Sequence, residues 1–258
     1  MKTKFGYANV MLLCVLALGL SGCVHSPSLN ATRSAGVTLP SVEPADFNGV
    51  WETADPALVV RPEFGTPPYT AAAQKWINDF KLLLDPVKDD SANFCGIQGM
   101  PWTMLGRART YPVEIYQTSD RVAMFFEVFD SYRNIRIGGE VPKNVPSSVN
   151  GYSVAHWDGA SLVIATKALV ERPFPNLQLR SEQTKIVERW TREKNTVHGD
   201  VILVDIEIED PIVYTRNVVG RKVFKRSVPG TVVGGYNCPE RLWQEHVEKR
   251  LRTAPERK

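Results

Sequence analysis

Cysteine and histidine are scarce, with four of each in 258 residues. No CxxC pair occurs and no two histidines sit close together, so no Cys/His/Asp cluster has metal-ligand spacing. The chain therefore predicts neither a metal centre nor a cofactor. Gly151-Tyr152-Ser153-Val154-Ala155 ends in alanine where a nucleophile elbow needs glycine. It also falls between strand-like runs rather than at a strand-to-helix turn, which argues against a serine hydrolase. Excess charge of one sign is missing too: 31 Lys and Arg face 28 Asp and Glu. Two of those lysines lie in the first four residues, so the remaining body is nearly neutral and gives no electrostatic case for nucleic acid.

The N-terminus has a definite pattern. Lys2 and Lys4 precede an apolar run from Val10 to Leu20, followed by Ser21-Gly22-Cys23. The run is shorter than the ~20 residues that cross a bilayer and reads as a secretory signal. Leu20-Ser21-Gly22-Cys23 resembles the lipobox of bacterial lipoproteins, which implies lipidation of Cys23 as the first mature residue. The bilayer is then a partner through the acyl chains, each buried methylene adding about 0.8 kcal/mol. Val24, rather than Asp, after the cysteine implies by the same resemblance an outer-membrane lipoprotein facing the periplasm. Residues 1–22 are thus the expected signal and 23–44 a Ser/Thr/Pro/Gly-rich tether with little apolar content. Residues 45–258 form a single domain with length enough for a sizeable core. With Cys14 removed and Cys23 lipidated, Cys95 and Cys238 remain in an oxidising compartment, where a disulfide is the expected state. A reactive or metal-binding thiol is the alternative, without neighbouring ligands to support it.

Within the domain the hydrophobic period changes. Trp76, Phe80, Leu83 and Leu84 recur at helical spacing over 71–84, and Asp85-Pro86 stops that helix. Period-two runs follow at Tyr111–Thr118, Arg121–Phe129 and Tyr132–Ile137. After a polar break over 138–150, strands resume at Tyr152–Trp157 and Leu162–Thr166, with Asp158-Gly159 as a tight turn. Further strands are expected at Thr184–Arg192, Val201–Glu209, Lys222–Arg226 and Thr231–Val233, before a charged helix over Glu240–Leu251. Short strands in succession without intervening helices predict a mainly β fold: an antiparallel lipocalin-like barrel, or a strongly curved sheet, with one N-proximal and one C-terminal helix.

The motif order resembles that of a group of uncharacterised secreted bacterial proteins. It runs through Asp85-Pro86, Cys95 with Gly99-Met100-Pro101, Pro112-Val113-Glu114-Ile115-Tyr116-Gln117 and Phe126-Glu127. It continues with Gly151-Tyr152-Ser153, Trp157-Asp158-Gly159, Ser181-Glu182, Val187-Glu188-Arg189-Trp190, Glu209-Asp210-Pro211 and Tyr214-Thr215. Tyr152 and Ala160 stand where that pattern has His and Asp. Gly49-Val50-Trp51 is also similar to the G-x-W of lipocalin first strands. The resemblance implies a fold and carries no activity.

Candidate residues follow from side-chain direction. Glu127, taken as continuing the face of Ala123, Phe125 and Phe129, lies in an apolar row where a structural ion pair with Arg133 or Arg136 is the default. A desolvated carboxyl with raised pKa is the functional alternative. Glu188 alternates with Ile186 and Trp190. If both carboxylates point inward, they share a pocket with Tyr132, Tyr152 and Trp190, and Phe125, Trp157 and Tyr214 join as apolar contacts. His156 reads first as a half-buried hairpin residue and second as a general acid or base. Asp210 before Pro211 reads as a strand end. Three functions remain: a pocket for a small apolar or aromatic ligand; a cofactor-independent lyase or isomerase using Glu127, Tyr132, His156 and Glu188, with Arg133 orienting; and an envelope interaction protein with a filled barrel.

Overall fold

The computed structural model describes residues 43–54, 67–106, 111–172 and 179–253. The expected signal peptide, Cys23 and almost all of the tether lie outside the described residues. No helix among the described residues is long and apolar enough to cross a membrane.

The helix α1 spans Ala71–Lys81, starting at Thr70, whose hydroxyl accepts the Ala73 amide at 3.1 Å. This cap satisfies a first-turn donor that has no carbonyl partner. Ala73 and Ile77 bury one face of the helix, with Trp76 packed beside them. A 3-10 turn at Ser91–Phe94 and the short helix α2 (Trp102–Leu105) lead into the strands.

Nine strands close into a barrel in sequence order: β1 (Gly49–Thr53), β2 (Val113–Gln117), β3 (Arg121–Phe126), β4 (Ser131–Ile137), β5 (Tyr152–Asp158), β6 (Ser161–Lys167), β7 (Lys185–Asn195), β8 (Gly199–Glu209) and β9 (Val218–Arg226). The expected lipocalin-like barrel is the observed architecture, with the helix α3 (Arg241–Thr253) following it. Every neighbouring pair is antiparallel except β4 and β5, which run parallel through Arg136–Val154 and Ile137–Ala155. The polar break over 138–150 is therefore a crossover rather than a hairpin. Gly159, at φ +60°, completes the tight turn between β5 and β6.

Two expected strands change. Thr231–Val233 forms no strand. Arg121–Phe129 is cut at Phe126, because Glu127 takes helical dihedrals (φ −56°, ψ −41°) and Phe129 a left-handed φ of 58°. A turn replaces the last period-two step.

The seam between β1 and β9 is held by Arg226, whose guanidinium lies 3.8 Å from the Trp51 ring centroid and donates to the Asn48 carbonyl at 2.6 Å. Gly49 makes this approach possible, since a Cβ there would meet Arg226 Nη1 at 2.2 Å. After the last strand, α3 docks on the 3-10 turn. His246 Nε2 lies 2.7 Å from Asp89 Oδ1, Arg250 pairs with the same carboxylate at 3.1 Å, and Phe94 stacks on His246 at 3.6 Å. The Cys95–Cys238 disulfide, spanning 143 residues, ties the helix's leading segment to the same turn.

Replacing both cysteines by serine is expected to lower unfolding stability by about 2–4 kcal/mol, near the upper end for so long a loop, as read by urea denaturation. Burial pushes the Asp89 carboxyl up, but the Asp85 amide, His246 and Arg250 outweigh it and hold it below its ordinary 3.8. Its contribution is therefore present above about pH 4 and disappears as pH falls through the lowered value. Acid titration of Trp243 fluorescence should show α3 loosening in that range, and Asp89→Asn should remove that component.

Candidate functional site

Alternation along each strand assigns one set of side chains to the lumen and the other to the outer wall. On β4, Arg133 and Ile135 point inward; on β5, Ser153 and Ala155; on β6, Leu162, Ile164 and Thr166; on β7, Ile186, Glu188 and Trp190. Arg133 reaches from β4 across β5 and β6 to Glu188 on β7. Its Nη1 donates to Glu188 Oε1 at 3.0 Å and its Nη2 to Oε2 at 2.5 Å. Ser153 and Thr166, paired across β5 and β6, lie 2.8 Å apart, and Nη2 is 3.4 and 3.3 Å from their hydroxyls. Arg133 is 2% exposed and Glu188 has no exposed surface. The result is a bidentate ion pair inside a low-dielectric barrel, which keeps both carboxylate oxygens engaged.

Aromatic rings fill the lumen near one end. Trp190 stacks on Phe224 at 5.9 Å and meets Phe47 edge-on at 6.0 Å, while Phe47 stacks on Trp157 at 6.1 Å. Lys222, buried on β9, places its ammonium 5.3 Å from the Phe224 centroid. Ile135, Ile164, Thr166, Glu188 and Trp190 have no surface open to water, so no water-sized void adjoins them. Two lumenal donors nonetheless lack acceptors: Arg133 Nε and Trp190 Nε1. Among the described residues, no cluster of three His, Cys, Asp or Glu side chains is placed to hold a metal ion.

The candidates divide between the two faces. Arg133, Glu188, Trp157 and Trp190 face inward; Phe125, Tyr132, Tyr152 and His156 face outward. The expected pocket combining Glu127, Glu188, Tyr132, Tyr152 and Trp190 does not form. Arg133 pairs with Glu188 rather than Glu127. Glu127, beyond the end of β3, accepts the Gly234 amide at 2.9 Å and so tacks the C-terminal segment to the barrel rim. Tyr214 is buried against Tyr69 with ring centroids 5.7 Å apart, and burial raises its phenol pKa well above the ordinary value. Asp210 ends β8 as expected: it accepts the Ser181 amide at 2.7 Å, the Ser181 hydroxyl at 2.9 Å, the Thr184 hydroxyl, and the Ile212 and Val213 amides at 3.1 Å.

The outward aromatics are contiguous. Tyr116 on β2, Phe125 on β3 and Tyr132 on β4 form a ridge, with centroid distances of 6.1 Å and 4.9 Å between successive rings. They are 53%, 43% and 45% exposed. Arg121 and Arg136 are cross-strand partners on the same wall. Sequence reasoning named Phe125 and Tyr132 but placed them inside. Tyr116 was not among the candidates, although its position two residues after Glu114 assigns the face. A second outer feature, a groove of about 580 Å³, crosses β6–β9 and is lined by Val163, Val187, Arg189, Asp205, Glu207, Val219 and Arg221 among others.

No family model matches the chain, and no curated protein matches it either. The class is therefore defined by the fold and side-chain geometry alone: a closed β-barrel with an ion pair in its lumen and an aromatic ridge on its wall.

Replacing Glu188 by Ala leaves Arg133 buried without its counter-charge and is expected to cost about 3–5 kcal/mol in urea denaturation. Replacing the pair together, Arg133→Met with Glu188→Leu, should recover most of that loss. If the single substitution is neutral, the pair contributes nothing to holding the lumen.

Proposed function

We propose that this chain is a lipid-anchored interaction protein of the bacterial envelope, whose barrel is a rigid scaffold for a protein-docking surface on β2–β4. The observation that carries this reading is the outward ridge of Tyr116, Phe125 and Tyr132, set against lumenal rows closed to water. Exposed aromatic rings beside arginines have the composition of binding hot spots, because rigid rings bury much area for little rotamer entropy. Anchorage rests on Leu20-Ser21-Gly22-Cys23, which would place the barrel at the end of a tether facing the periplasm.

A second reading keeps a small aromatic or apolar ligand in the lumen. It is favoured by the indole N–H of Trp190, a buried donor with no acceptor in an aromatic-walled space. Such a ligand would supply a carbonyl or other acceptor and would require lumenal side chains to move aside. The acid/base enzyme has less support, since Glu188 is engaged by Arg133 while Glu127, Tyr132 and His156 lie elsewhere.

A photo-crosslinking residue at Tyr132 in living cells, with native mass spectrometry of the detergent-extracted protein, separates the two. The docking reading expects a discrete crosslinked protein. It also expects Phe125→Ala to weaken capture about thirtyfold, corresponding to one hot-spot ring of roughly 2 kcal/mol. A stoichiometric small molecule in the native mass spectrum, with no crosslinked partner, would overturn that reading in favour of the lumenal ligand.

A further inference from the structure

The register of β7, β8 and β9 sets the outward side chains of that wall in rows running across the strands. Arg189, Asp205 and Arg221 stand side by side in one row. Val187, Glu207 and Val219 make the next, and Lys185 opposite Glu209 the third. Short valines between longer charged side chains leave the groove of about 580 Å³, with Val163 of β6 completing its lining. Val187 is 42% exposed and Val219 61%. Strand propensity accounts for a valine on a strand, but not for gathering several in one trough open to water.

The charges around that trough restrict what can cover it. Arg221 Nε donates to Asp205 Oδ1 at 2.5 Å, Arg189 pairs with Asp158 at the end of β5, and Asn217 donates to Glu207 at 2.7 Å. Arg189 and Arg221 line the groove together with Asp205 and Glu207. A partner of one sign therefore meets as much repulsion as attraction. The groove lies open along the wall, so a small apolar ligand would keep much of its surface in water, whereas ligand pockets bury most of it. A surface carrying the same alternation in reverse order does match. A second copy of this wall, turned about a two-fold axis, supplies one.

We propose that this wall joins two copies of the chain in an isologous dimer, with the two-fold axis along the junction of β8 and β9. Each copy's β8 then lies over β9 of the other. Asp205 faces the partner's Arg221, and Arg221 faces the partner's Asp205, so two internal pairs become one alternating ring of four charges without either being broken. Val219 lies against the partner's Glu207 and beside the partner's Val219, which takes both valines out of water. Four strands at about 4.8 Å and three rows at about 6.8 Å give a footprint of roughly 400 Å² per copy, about half of what a standard interface buries on each side. The dimer is accordingly weak and reversible, with a micromolar Kd. It uses neither the aromatic ridge nor the lumen and does not depend on lipidation.

Sedimentation velocity and native mass spectrometry of the full-length protein in detergent, from about 1 to about 200 μM, read the oligomeric state directly. A monomer–dimer equilibrium in the micromolar range is expected. Val219→Glu, at an exposed position, sets a carboxylate against the partner's Glu207. It should raise the dimer Kd about tenfold or more while leaving the circular dichroism spectrum unchanged. Asp205→Arg should do the same by placing like charges across the axis. Adding Arg221→Asp to it restores the alternation and should return the Kd to within about threefold of the parent's. Should Asp205→Arg fail to fold, Val219→Glu and the double exchange decide the matter. The proposal is overturned if the parent stays monomeric throughout the series, if Val219→Glu or a folded Asp205→Arg dimerises as the parent does, or if the double exchange stays monomeric. Loss of the dimer in Phe125→Ala would give the contact to the ridge and overturn it equally. So would a monomeric parent carrying a small molecule that Val219→Glu loses, which would give the groove to a ligand.

Discussion

A ring of strands that alternate in direction can close only when their number is even, so nine strands require an odd number of parallel junctions. This barrel has one, between β4 and β5. The constraint explains why the chain leaves β4 on a crossover over residues 138–151 instead of a hairpin. It also creates the weakest seam, since registered pairing there is confined to Arg136 with Val154 and Ile137 with Ala155. The Arg133–Glu188 pair crosses that seam from inside. It starts on β4, passes the Ser153 and Thr166 hydroxyls on β5 and β6, and ends on β7. A bidentate charge pair thus braces four successive strands where the backbone ladder is shortest.

The same closure separates inside from outside, and the side chains divide along it. Lumenal rows hold Trp51, Met124, Ile164 and Trp190, all without exposed surface, and the lumenal ion pair has both its oxygens taken. Such an interior supplies rigidity. Its exposed aromatic surface lies on the wall, in the ridge of Tyr116, Phe125 and Tyr132. Rigid support makes a surface ring a better anchor, because little side-chain freedom remains to be lost on binding.

Much of the fold was legible from local pattern. Period-two runs located the main strands, Asp158-Gly159 marked a true hairpin, and Asp210-Pro211 marked a strand end. Helical spacing marked α1 and α3. The misjudged positions have separate causes. Treating Arg121–Phe129 as one strand carried the alternation one step too far and put Glu127 in an apolar row. The chain instead turns at Glu127, and Phe129 adopts a positive φ that no periodicity reveals. Reading Thr231–Val233 as a strand failed because a short β-branched run has no neighbour to pair with in a ring already closed by β1 and β9.

The sequence by itself determined most of the elements and the alternation within them, because both depend on neighbours two to four residues away. It also held the small set of charged residues placed at apolar positions, of which Glu188 was one. It could not say which face was the lumen for β3 and β4, nor that Arg133 would meet Glu188 across 55 residues and Arg180 would face Arg172. Those choices depend on ring closure, which sets the register of strands distant in sequence. A one-step change in face exchanges every inward and outward side chain. Only the tertiary structure therefore decided that Phe125 and Tyr132 belong to a surface ridge while Glu188 and Trp190 lie inside the barrel.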